Sequence, residues 1–479
     1  MTERSKLIWV YLLSALFIAI NTILVVNHFY WGAILPVILL ILILYFVSLD
    51  KIILLITFLT PLAINIRDID LGFAISLPTE PLLFGVLVFF IIKILYEGKY
   101  DIKILKHPLT IIVILNLIWI LFTCITSEIP LVSFKFLIAR LWFIIPFYFF
   151  AILLFKKYNN IKLFIWLYAI PFLIVIFYTL YHHSLRGFDE ESGHWVMTPF
   201  YNDHTAYGAV LTLFIPCLLG FTFNKQYSIS TRFISFIFFI IFTIALILSY
   251  SRAAWISLTI ATVVFIIVIL KIKFRWVLLS VALIISLFFV LQQQIFDKLE
   301  QNKQGSSANF VEHVQSISNI TSDASNLERI NRWQSAIRMF NERPFWGWGP
   351  GTYQFLYAPY QRSKEKTIIS TNAGDLGNAH SEYLGPLAES GIMGMLSVIL
   401  IVVFAIYTGL KVYRKAVHRE IKIISLSIVI GLISYFVHGF LNNFLDSDKP
   451  SVPVWGFIAI IVALDLYHNN KNETKIKIN

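Results

Sequence analysis

His380, in the stretch "GNAHSEYLGPLAESGIMG" (377–394), stands among polar residues directly before a long apolar run. An imidazole titrates near neutral pH, which suits it to accept the proton of a hydroxyl nucleophile. A solvated or capping histidine has the same appearance in sequence. Asn378 and Ser381 fit caps of a helix that starts here, and Glu382 and Glu389 fit its N-terminal turns, where negative charge is favoured. Four arginines fall on the side of the membrane that the charge pattern assigns to His380. They are Arg140 in "LIARLWF", Arg252 in "SYSRAAW", and Arg329 and Arg332 in "NLERINRWQSAIRMF". Several guanidiniums and one imidazole suit a bound phosphate or diphosphate, because the planar fork of arginine matches its oxygens. Blander roles exist for each. Arg252 fits an arginine reaching to the interface, and Arg140, costly inside an apolar run, needs a carboxylate from a neighbouring loop.

Two further polar stretches bear on this site. "TPFYNDHTAYGAVLTLFIP" (198–216) puts Asn202, Asp203 and His204 at the mouth of another apolar run, with His182, His183 and His194 upstream. These residues lack a ligand spacing such as His-Glu-x-x-His, so no metal and no cofactor is expected. "ERPFWGWGPGTYQF" carries Pro344 and Pro350 with Gly347, Gly349 and Gly351, a loop whose backbone needs positive φ or close approach. It reads either as a structural turn or as bare amides laid against an anion. Just before it, helical spacing predicts one broad apolar face of Leu327, Ile330, Ala336, Ile337 and Phe340.

The elements that must position these groups are membrane helices. Of 479 residues, 58% are hydrophobic and 14% charged, which excludes an ordinary soluble domain. Apolar runs that can cross a ~30 Å hydrocarbon core occur near 7–27, 30–48, 52–66, 78–96, 108–126, 137–155, 161–181, 205–223, 233–250, 253–270, 276–296, 391–410, 423–441 and 452–468. The expected fold is an all-α polytopic membrane protein of 12 to 14 spans, with the first run retained. The expected division is 1–296 for spans one to eleven, 297–378 for a large, partly helical outer loop, 379–468 for the last three spans, and 469–479 for a tail. Lys and Arg collect in alternate loops, which by the positive-inside rule puts both termini in the cytoplasm and His380 outside. The net charge of +11 is mostly this orientation signal and no nucleic-acid footprint. Cys124 and Cys217 lie in apolar runs and suggest no disulfide.

The order of "FYNDHTAYGAVL", "SRAAW", "LERINRWQSAIRMFNERPFWGWGPG" and "NAHSEYLGPLAESGIMG" resembles the O-antigen ligase and O-antigen polymerase superfamily of bacterial envelope enzymes. The specific part runs from Arg329 to Gly394. It holds Arg329-x-x-x-Trp333, Pro344-x-x-Gly347-x-Gly349, His380-Ser-Glu-Tyr-Leu384 and Glu389-x-Gly391-x-x-Gly394. The resemblance implies a lipid-phosphosugar-dependent glycosyltransferase of the inner membrane, working on the periplasmic side. Its donor would be a glycan on undecaprenyl diphosphate, and its acceptor the lipid A-core or a second lipid-linked glycan. It implies that Arg252 and Arg329 serve the diphosphate and that His380 acts as base or orients the acceptor. Arg140, Arg332, Asn202, Asn378 and Glu382 are expected to contribute to substrate binding. Ligase is the leading expectation, and a polymerase would use the same residues. A lipid-linked oligosaccharide flippase would instead spread its cations along a central cavity.

Overall fold

The computed structural model describes residues 3–66, 75–98, 100–273, 324–363 and 377–469, with 366, 370 and a few positions between 275 and 286. The chain opens with α1 (Glu3–Val26), α2 (Leu35–Val47) and α3 (Leu49–Leu59), then a hairpin of β1 (Ile64–Ile66) and β2 (Ile75–Leu77), then α4 (Thr79–Glu97). There follow α5 (Pro108–Ile125), α6 (Pro130–Leu154), α7 (Tyr158–Ser184), α8 (His204–Phe223), α9 (Ile229–Ile247) and α10 (Arg252–Ile269). The polar helix α11 (Ala324–Glu342) precedes the last three, α12 (Leu384–Lys415), α13 (Arg419–His438) and α14 (Asp448–His468). Among the described residues, 11 of these helices are long and apolar enough to cross a membrane. The protein is an all-α polytopic membrane protein.

Two of the expected spans differ. The run at 52–66 is not one helix: α3 has 11 residues, about 16 Å at 1.5 Å per residue. Pro61 lacks the N–H that would continue the ladder, and after a single turn at Thr60–Leu62 the chain goes extended into β1. There Ile64 pairs with Leu77, Asn65 with Ser76 and Ile66 with Ile75, antiparallel. The run at 30–48 is also short, its α-helix holding 13 residues after a tight turn at Tyr30–Ile34. The run at 276–296 lies almost entirely outside the described residues. So do loop residues 297–323, much of 364–376, and the tail from 470 onward.

The centre of the bundle is α14, whose side chains are all buried from Ser451 to Leu464. It packs with α8, α13 and α7. Tyr168 of α7 stacks on Phe214 of α8 at 4.7 Å and donates its hydroxyl to the carbonyl of Lys449 at 2.7 Å. The satisfied hydroxyl removes the cost of burying a phenol there.

Ionic groups segregate to the two ends of the bundle. At one end lie Asp101 with Lys156 (2.7 Å), Lys162 with Glu420 (2.6 Å) and Asp465 with Lys411 (2.8 Å). At the other end, Lys449 donates to the carbonyl of Ala63, and Thr79 donates to Asp448. Those contacts tie the hairpin and the start of α4 to the start of α14, and His380 belongs to this second end.

Candidate active site

The loop helix α11 lays a polar stripe, not an apolar one, against the site. Its buried residues are Glu328, Asn331, Arg332, Ser335, Ala336 and Met339, spaced as one helical face, while Ile337 is exposed. The expected broad apolar face is therefore split: of its members only Ala336 is fully buried, because the face that docks is held by hydrogen bonds. Arg332 donates Nε–H to Glu328 at 2.7 Å and an Nη1–H to the carbonyl of Asn378 at 3.3 Å, and its guanidinium lies 4.7 Å from the centre of the Tyr357 ring. Tyr353 donates its hydroxyl to the carbonyl of Arg332. A side chain at Gly377 would put its Cβ 1.5 Å from the Arg332 guanidinium. Arg332 is thus built into the wall that carries the His380 loop.

The glycine-rich turn and the Glu-x-Gly-x-x-Gly block complete one another. Helix α12 breaks at Gly391, where φ is 68° and ψ −167°. A break strips the carbonyls of the preceding turn of their helical donors. Trp348 N–H donates to the Ala388 carbonyl (3.1 Å), Gly349 N–H to the Glu389 carbonyl (2.7 Å), and the Trp119 indole of α5 to the Ser390 carbonyl (2.8 Å). In return, Ile392 N–H donates to the carbonyl of Pro344 at 3.0 Å. Gly349 has φ 114°, and a Cβ there would meet Ser127 Oγ at 1.9 Å. The amides of Trp348 and Gly349 therefore serve the broken helix, which decides for the structural reading of this turn over anion binding.

His380 follows directly from this frame. Its φ is 46°, a left-handed conformation rare for a residue with a side chain. Asn378 accepts its N–H at 3.0 Å, and the Trp333 indole of α11 donates to its carbonyl at 3.4 Å. Ser381 Oγ accepts from Tyr383 and Leu384 N–H and so caps the start of α12, as its position predicts. Burial and the charges of Arg329 and Arg332 push the His380 imidazole down to about 4. It is neutral at pH 7, an acceptor of hydrogen bonds but a weaker base than an ordinary histidine. The half-buried Arg329 also bears electrostatically on His204 and His438. His194 stacks on His204 at 4.2 Å. Arg252, the first residue of α10, lies 3.8 Å from Glu190, four residues before His194.

Beside His380 opens a cavity of about 480 Å³, lined by Arg140, Asn202, Asp203, Asn378, Glu382 and Asp446 among others. Arg140 finds the anion its burial requires: Nη1 lies 3.2 Å from Asp446 and 3.2 Å from the carbonyl of Leu445. Glu382 Oε1 accepts from Tyr435 Oη, Phe444 N–H and Leu445 N–H, stapling the loop after α13 to the start of α12. Burial pushes its carboxyl up to about 7 in spite of those donors. Asp203 caps α8, accepting from Thr205 and Ala206 N–H. Asn202 is exposed on the cavity wall. Among the described residues, no group of three His, Cys, Asp or Glu is arranged to hold a metal ion. Sequence reasoning missed the acidic share of this cavity, Asp446 and Asp448, and the place of His438. The run "NNFLDSDKP" (442–450) at the mouth of the last span was the available signal.

A helical membrane protein with arginines and histidines gathered at one end of its bundle is the class that fold and site define. Residues 236–399 match the family model described as O-antigen ligase, and this match supports the O-antigen ligase superfamily as the family of the chain. The matched segment contains Arg252, Arg329, Arg332 and His380. The chain is also similar to a Haemophilus influenzae protein described as uncharacterized, 27% identical over 323 residues, covering 66% of this chain and 75% of that protein. These matches support a glycosyltransferase-like function of the ligase or polymerase kind, with lipid-linked glycans as substrates.

Proposed function

We propose that the chain transfers a glycan from undecaprenyl diphosphate to a hydroxyl of the lipid A-core, on the periplasmic side of the inner membrane, with inversion and without a metal. The observation that supports this reading is that Arg329 bears electrostatically on His380, whose neighbours Asn378 and Ser381 line a cavity, within the segment similar to O-antigen ligases. Lys156, Lys162 and Lys411 lie at the opposite end of the bundle, in keeping with a cytoplasmic face there.

The acceptor oxygen forms a bond to the anomeric carbon as the bond from that carbon to the diphosphate oxygen breaks. Arg329 and Arg252 meet the charge that grows on the departing diphosphate. Neutral His380 accepts the hydrogen bond of the acceptor hydroxyl and takes its proton as the new bond forms. Beside burial, the charges of Arg329 and Arg332 hold the imidazole's basicity down, so a bound diphosphate that offsets them raises the basicity of His380 when it is needed. Asn202, Asn378, Glu382 and Arg140 line the space for the acceptor sugar.

Purified protein given undecaprenyl-diphosphate glycan and lipid A-core should turn over equally in EDTA and in Mg²⁺. Strict dependence on Mg²⁺ would overturn the metal-free mechanism. In cells lacking the gene, surface polysaccharide run on a gel should show lipid A without polymer. Shortened chains would assign the same site to polymerisation, and an unchanged pattern would remove both readings.

A further inference from the structure

A second cavity, of about 680 Å³, lies between α8, α9, α10 and α13, near the end of the bundle opposite His380. Its walls are apolar, among them Leu219, Phe223, Phe239, Leu258, Phe265 and Ile430. The two threonines on the wall spend their hydroxyl protons on their own helices, Thr243 donating to the Phe239 carbonyl and Thr262 to the Leu258 carbonyl, both at 2.8 Å. One end of the cavity differs: Arg419 and Lys422, one helical turn apart at the start of α13, line it together with Tyr413. Neither cation makes an ion pair among the described residues, unlike Lys156, Lys162 and Lys411 at the same end. From Arg419 to Ile430 the groove follows 11 residues of α13, about 16 Å of depth at 1.5 Å per residue.

We propose that this groove binds one membrane phospholipid with an anionic headgroup, its phosphate held by Arg419 and Lys422 and one acyl chain lying along α8, α9, α10 and α13. Two features support this occupant over loose annular lipid. The apolar walls offer an acyl chain contact on several sides, and the cations sit only where the headgroup of a lipid in that leaflet would lie. Basic residues at headgroup depth attract anionic lipid, so the pair predicts headgroup selectivity.

The test is native mass spectrometry of the full chain in detergent, titrated with phosphatidylglycerol or with phosphatidylcholine as probes. One phosphatidylglycerol per chain should be retained in preference to phosphatidylcholine. The double variant Arg419→Gln/Lys422→Gln should lose that preference, with binding of phosphatidylglycerol weaker by about tenfold or more. Thr262→Trp, at an exposed position of α10, should fill the groove and weaken both lipids while leaving the chain folded. Equal retention of the two lipids by the parent, or unchanged retention in both variants, would overturn the site. Retention of undecaprenyl phosphate in preference to phosphatidylglycerol, abolished by Thr262→Trp, would overturn the assignment to a phospholipid.

Discussion

Gly349 N–H lies 2.7 Å from the carbonyl oxygen of Glu389, joining the turn after the loop helix to the last residues before a membrane helix breaks. Two residues beyond that carbonyl, Gly391 has φ 68°, and a Cβ there would meet the Phe345 carbonyl at 2.1 Å. Gly349→Ala and Gly391→Ala should each cost more than about 2 kcal/mol, from backbone strain and the forced separation of the two blocks. Thermal melting of purified protein in detergent checks this. Melting within a degree of the parent would mean that the blocks do not depend on one another.

Arg329→Lys and Arg332→Lys should fail for different reasons. Arg332 is committed to Glu328, Asn378 and the Tyr357 ring, so a lysine there should loosen the loop and lower both melting temperature and activity. Arg329→Lys should melt like the parent yet lose transfer, because a point charge cannot fork onto a diphosphate. The same loss is expected for Arg252→Lys. Transfer at matched protein levels, set beside the melts, separates the cases.

His380→Ala should insert normally and lose about 10²- to 10⁴-fold in rate, the usual contribution of a general acid-base group. The pH profile carries more information. The folded imidazole is held down to about 4, below the value it takes in the unfolded chain. Unfolded protein therefore takes up the proton first as pH falls. Stability should drop from about pH 6.5 toward pH 4. For the same reason kcat/KM, which reports the free enzyme, should show no inflection of an ordinary histidine between about pH 6 and 8. An inflection near 6.5 that vanishes in His380→Ala would contradict the depressed value.

Glu382→Gln should be tolerated, since an amide oxygen can still accept from Tyr435, Phe444 and Leu445 in the buried site. Glu382→Ala leaves those donors unmatched and should cost about 1–3 kcal/mol for the exposed need. Melting of the two variants side by side decides whether shape or charge matters here.

The long spans were legible because hydrophobic length alone selects them, and Arg252, Arg329 and His380 stood out as candidates because they are polar groups assigned by the charge pattern to one side of the bundle. What was not legible rests on contacts between distant segments. In "IILLITFLTPLAINI" Pro61 marks where a helix can end, but nothing local shows that the chain then turns into a strand whose partner, Ile75–Leu77, lies further along the chain. The apolar spacing of α11 misled because tertiary hydrogen bonds to Glu328, Asn331 and Arg332 outweigh the pull of Ile337 toward a core. Asp446 became part of the site only once Arg140 was seen to need it across 306 residues of sequence.

The break at Gly391 also constrains the order of assembly. While the chain enters the bilayer, Ala388, Glu389 and Ser390 have no donors if the helix is already broken, and each bare carbonyl in hydrocarbon costs several kcal/mol. Their three donors come from Trp348, Gly349 and Trp119, two of them in the turn that follows the loop helix. The bend in Leu384–Lys415 and the docking of that turn are therefore coupled, since each supplies what the other lacks. A chain in which the turn failed to dock would keep its apolar helices and lack a formed seat for His380.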